Sequence, residues 1–198
     1  PQVLSVTSRL KDSLNCAIVG GICSPEILSN ILLSPSSKND PSIREEVFLA
    51  VGEALSLLAN SYLESGADGI AILAPDGMPI SDPLHTQSLS SLPNILAHYE
   101  AFGAIITRET SPAQIKSAAD LGFDLITGST SSPEESIKSA QVSGIHFGLG
   151  IPSSILSSKK ESIQTFVNSF PNNTLLSSEW TIPSSVSPET IHDLMGSL

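Results

Sequence analysis

Short apolar runs recur along this chain, each followed by a longer stretch with helical spacing. CAIVGGI (16–22) is rich in β-formers, and PEILSNILL (25–33) then reads as a helix with Pro25 at its first position. After the polar stretch SPSSKNDPS, residues 43–64 carry Val47, Val51, Ala54, Leu55, Leu58 and Tyr62 at helical spacing. That helix stops at SGADG, with Gly66 past its last turn, and GIAILA (69–74) is the next strand. Residues 90–101 read as a helix, FGAIIT (102–107) as a strand, and 111–122 as a helix opened by Ser111 and Pro112. FDLITG (123–128) and GIHFGLG (144–150) are strands around a second Ser-Pro helix, 131–144, with glutamates in its first turn. A helix over 159–170, a strand over 174–178 and a Ser-Pro helix over 187–198 complete the pattern.

Six βα units follow from this rhythm. The β-runs are continuously apolar, as strands of a parallel sheet buried on both faces are. The expected class is α/β, in one domain over residues 1–198. GGICSPE after the first strand lacks the G-x-G-x-x-G spacing of a dinucleotide site, and there is no G-x-x-x-x-G-K-S phosphate loop.

Composition narrows the partners. With 198 residues, 40% hydrophobic and 15% charged, the chain can bury a core. The net charge of −11, with arginine only at 9, 44 and 108, argues against nucleic acid and polyanions. No apolar run of about 18 residues suggests a membrane span, and no signal peptide is visible. A chain opening on Pro1 is expected to be processed or cut from something longer. Cys16 and Cys23 bracket an expected strand and would lie roughly 20 Å apart, too far for a disulfide. Both are expected reduced, in a cytoplasmic setting, with Cys16 in the core and Cys23 at a strand's carboxyl end.

The order of turns resembles a known superfamily. SYLESGADGIAILAPDGMPISDP (61–83) looks like the stretch of uroporphyrinogen decarboxylases in which a helix ending in "AGAD" feeds a strand and a loop entering "ISP". GLGIPSSIL (148–156) stands where "GNIDPSVL" is usual, and IPSSVSPETIHDLM (182–195) is similar to the closing "IPPxTPPENLxAL". The superfamily includes cobamide-dependent methyltransferases and is related to cobalamin-independent methionine synthase. The resemblance implies a TIM-barrel-like fold, a (β/α)8 barrel here lacking its first two βα units, with six parallel strands and the site at their carboxyl ends. A corrinoid or tetrapyrrole is implied by the resemblance alone, and the residues themselves call for no cofactor. The open edges of such a remnant predict a second copy or a partner chain that completes the barrel.

The methyltransferases of this superfamily end their fifth strand in H-x-C-G, whose His and Cys hold zinc, with a third cysteine before "GIPP". By resemblance, Ile105 and Thr107 fall at the first two places and Trp180 near the third. The metal site is therefore expected to be absent. The strand ends offer other groups: Cys23, Asp76, Arg108 with Glu109, Ser129 with Thr130, and Glu179 with Trp180. Arg108 can clamp a carboxylate with two hydrogen bonds, and Glu179 or Asp76 can act as acid or base. Glu109, Trp180, Ser129, Thr130 and Cys23 would complete the binding set. The bland readings stand beside these: Arg108–Glu109 as a solvated rim pair, Asp76 as turn chemistry, His146 as a core residue, and His85, His98 and His192 as surface. Two functions are expected. One is an enzyme, methyltransferase-like or decarboxylase-like, acting on a small carboxylate or methyl-transfer substrate without metal. The other is a non-catalytic barrel-derived binding or assembly protein.

Overall fold

The structure is a computed structural model that describes residues 2–13, 16–74, 83–156, 165–166, 168, 175–178, 184 and 186–189. Its centre is a parallel sheet with strands in sequential order. The strands are β1 (Val19–Cys23), β2 (Gly69–Ala74), β3 (Phe102–Glu109), β4 (Leu125–Ser129) and β5 (His146–Ile151). A four-residue β6 (Leu175–Ser178) pairs with β5. Helices fill the connections: α2 (Pro25–Leu32) and α3 (Pro41–Glu64), α4 (Pro83–Leu89) and α5 (Leu92–His98), α6 (Pro112–Asp120), α7 (Pro133–Ser143) and α8 (Ser153–Leu156). α1 (Gln2–Ser13) precedes β1.

Crossovers between parallel neighbours are right-handed, so a sheet built in one direction keeps its helices on one face. Burial follows that rule. Ile22, Ile70, Ile72, Ile105, Ile126, Phe147 and Leu149 form one core with Val51, Leu55 and Leu63 of α3, Leu96 of α5 and Ile115 of α6. Each such side chain contributes about 1.5–3 kcal/mol on burial. The alternate strand positions point to the other face. There the wall is made of small buried residues, Ala71, Ala104, Thr127, Gly148 and Gly150, with Cys23, Leu73 and Ile106 half-buried and Gly21 exposed. Two glycines on that wall are steric necessities. A Cβ on Gly148 would come 2.6 Å from Thr127, and one on Gly150 2.9 Å from the Ser129 nitrogen.

A repeated device starts the strands. The Gly-x-Asp of GAD (66–68) and GFD (122–124) puts glycine in the left-handed region, φ 94° and 81°, to end a helix. The aspartate then reaches sideways to the preceding strand. Asp68 accepts the Ile18 N–H at 2.8 Å, and Asp124 accepts the Gly103 N–H at 2.8 Å. Their backbones continue the ladder, with Phe102 N–H donating to the Asp68 carbonyl and His146 N–H to that of Asp124. Lys11 of α1 pairs with Asp68, which ties α1 to the amino end of the sheet.

Several expectations change. Closure into a barrel is not seen: among the described residues, β1 and β6 are the two ends of an open order. Cys16 is exposed, because β1 begins at Val19, where Asp68 pins the Ile18 amide. His146 is exposed as the first residue of β5, on the face no described helix covers. His85 is buried, 2% exposed, because the third residue of α4 turns its ring edge-on against Phe48 of α3 at 4.9 Å. α1 was not foreseen, the helix start expected at His85 is α4, and the helix expected over 90–101 shortens to α5. By length and composition α3 could cross a membrane, at mean hydropathy 1.2. Here it lies along the sheet and buries Phe48, Val51, Leu55, Ala59 and Leu63. The helices expected over 159–170 and 187–198 lie largely outside the described residues.

Candidate functional site

The site is made by an irregularity at the end of β3. Ile106 pairs with Thr127 of β4, but Glu109 pairs with Ser129, so three steps on β3 span two on β4. Such a bulge breaks the alternation of side chains and can bring neighbouring residues to one side. Its floor is hydrogen-bonded. Thr107 Oγ1 donates to the Thr127 carbonyl at 3.0 Å, which leaves the Thr110 hydroxyl to donate to Thr107 Oγ1 at 2.8 Å. Thr110 N–H then donates to the Ser129 carbonyl at 2.7 Å and rejoins the ladder. Gly128 must lack a side chain, since a Cβ there would lie 2.5 Å from Thr107 Oγ1.

Above this floor a cavity of about 600 Å³ opens at the carboxyl ends of β3 and β4. Arg108, Glu109, Ser129 and Thr130 all line it. Four of the residues expected from the sequence are therefore brought together. Thr110, Ser111, Gln114 and Ser131 join them, and these the sequence reasoning missed. The signal was the polar run T-R-E-T-S (107–111), which continues the site into the next helix. Ser111 and Gln114 hold each other in a reciprocal cap: Gln114 Oε1 accepts the Ser111 N–H at 2.9 Å, and Ser111 Oγ accepts the Gln114 N–H at 3.4 Å. Thr130 Oγ1 accepts the Ser132 N–H at 3.2 Å and bonds Ser136 at 2.9 Å, fixing the entry to α7. Arg108 and Glu109 are both exposed, and neither forms an ion pair among the described residues.

Cys23 does not reach this cavity. It is half-buried at the end of β1, two strands from β3, roughly 10 Å away at ordinary strand spacing. Asp76, Glu179 and Trp180 lie outside the described residues. Another unforeseen pair stands at the start of α2 and α4, where His85 Nε2 is 3.9 Å from Glu26 Oε2.

The two positions that the resemblance sets at H-x-C-G are buried on the helix side of β3. Ile105 is 1% exposed within the helix-facing core, and Thr107 is 2% exposed beneath the bulge. Neither faces the inner wall. The β3 positions that do so or line the cavity are Ile106 and Arg108. An alkyl group and a guanidinium are not zinc ligands. Among the described residues, His, Cys, Asp and Glu do not gather in a group of three that could hold a metal. A tetrapyrrole polycarboxylate fits no better, because Arg108 is the only cation among the described residues that line the cavity and Glu109 would repel further carboxylates.

No family model and no curated protein matches the chain. Its fold is similar to that of a methyltransferase from Methanosarcina mazei. The TM-score is 0.69 at 19% identity, over 98% of this chain and 62% of that one. This chain therefore spans about three-fifths of the length of that neighbour. At such identity the likeness is one of fold, a methyltransferase-like α/β arrangement.

Proposed function

We propose that this chain is a sector of a (β/α)8 barrel that binds a small carboxylate at the carboxyl ends of its strands. The cavity of Arg108, Glu109, Ser129 and Thr130 carries the reading. A guanidinium that no described carboxylate pairs, on a cavity wall rimmed by hydroxyls, is suited to a carboxylate, which it can meet with two parallel hydrogen bonds. Sequential parallel strands with helices on one face suit a barrel sector. The resemblance to uroporphyrinogen decarboxylases and cobamide-dependent methyltransferases supplies the reaction class, methyl transfer or decarboxylation, with Glu179 or Asp76 as acid or base. An inner wall that no described helix covers, and a β1 edge that no described strand pairs, suit further βα units, on another segment or a partner chain. The alternative, a binding protein without catalysis, draws its support from Ile106 and Arg108 at the inner-facing end of β3.

Calorimetric titration with acetate and succinate tests the binding. Arg108→Ala should weaken carboxylate binding about tenfold, the loss of one charge-assisted contact. Equal affinity in wild type and Arg108→Ala would refute the site.

A further inference from the structure

We infer that the ligand of this cavity is a zwitterion, carrying an ammonium and a carboxylate in one small molecule. The inference rests on the proposed carboxylate site and names its substrate class. The bulge sets two opposite charges, Arg108 and Glu109, side by side on one cavity wall. No ion pair joins these two, within 4.0 Å, among the described residues. Each is left to meet something else.

The surroundings select against a ligand of single charge. The other described lining residues are neutral: Thr110, Ser111, Gln114, Ser129, Thr130 and Ser131. A simple anion approaching Arg108 meets the Glu109 carboxylate and the field of a chain with net charge −11. A simple cation approaching Glu109 meets the guanidinium. A molecule with both charges has no net charge for the field to repel, and it satisfies both side chains together. The hydroxyls and the Gln114 amide then bond whatever uncharged polar groups the molecule carries.

The test uses four probes: glycine, 4-aminobutyrate, acetate and methylammonium. Each is titrated against wild type, Arg108→Ala and Glu109→Gln, followed by amide chemical shifts of residues 108–111 and 129–131. Both side chains are exposed, so neither change should disturb folding, and circular dichroism checks that. At least one zwitterion should bind wild type about tenfold or more tightly than acetate or methylammonium. Glu109→Gln should remove that preference and let acetate bind more tightly than it does to wild type. Acetate binding as well as both zwitterions, with a ratio unmoved by Glu109→Gln, overturns the inference and leaves the carboxylate site standing. Loss of all Arg108-dependent binding, for every probe, overturns both.

Discussion

Ile105 and Ile106 are adjacent, chemically identical and on opposite faces of β3, so truncating each in turn measures the two faces separately. Ile105 is 1% exposed, in register with Ile72 and Ile126 and packed in the helix-facing core. Removing three carbons there deletes about 2.4 kcal/mol of transfer free energy at ~0.8 kcal/mol per methylene. The cavity left behind adds to that, for a total of about 3–4 kcal/mol. Ile106 is half-buried, beside Leu73 of β2 and Thr127 of β4, on the wall no described helix covers. Its truncation should cost about 1 kcal/mol, since part of its surface is already in water and the site can relax. Urea denaturation followed by circular dichroism gives both numbers, provided the slopes of the transitions stay equal. Equal losses would show that the inner wall is as well packed as the helix-facing core. That outcome would sink the claim of an uncovered inner face, and with it the need for anything to complete the sheet.

Two further predictions concern the strand starts. Hydrogen bonds from Lys11 and from the Ile18 amide hold the Asp68 carboxyl below its ordinary value of 3.8. A depressed folded-state value means that its stabilisation is complete above pH 4 or so and is lost as pH falls through the folded value. Asp68→Asn should therefore be less stable than wild type at pH 7, and the gap should narrow below pH 4. A gap constant down to pH 2 would contradict the ion pair. Glu100 is the one described non-glycine residue with positive φ, 52°, where the equivalent helix ends use Gly66, Gly122 and Gly144. Glu100→Gly should stabilise the fold by about 0.5–1 kcal/mol, relief of the left-handed strain exceeding the added chain entropy. A lower thermal midpoint would refute this.

Much of the fold was legible because its punctuation is local. Glycine at 66, 122 and 144 ends helices, and proline at 25, 112 and 133 begins them, whatever the rest of the chain does. Continuous apolar runs gave the parallel strands for the same reason. Closure was not legible, because it depends on which edges meet, and no local pattern encodes that. The histidines failed in a related way. His85 sits in the polar DPLHTQ and His146 in the apolar GIHFGLG, yet Phe48, 37 positions before His85, buries the first, and the second is exposed at the start of β5. Four of the candidate site residues converge because strand ends of neighbouring units converge, which the rhythm of the chain already implied.

The face of each residue at the end of β3 was beyond reach of the sequence, and there the chemistry was misplaced. Alternation along FGAIITRE assigns Ile105 and Thr107 to one face and Ile106 and Arg108 to the other. The two positions that the resemblance sets at H-x-C-G, Ile105 and Thr107, therefore lie on the helix side. The bulge then suspends alternation altogether and sets Glu109 opposite Ser129. Its causes are distant in sequence: the Thr107 hydroxyl needs the Thr127 carbonyl, and both need the missing side chain of Gly128. Threonine at 107 and 110 and glycine at 128 are ordinary strand-end residues when read singly. Only in register do they force Arg108 and Glu109 onto one wall. The charged residues that determine what this cavity can bind are thus held by Thr107 and Gly128 beneath it and by Thr110 on its lining, on two strands whose pairing the chain had first to form.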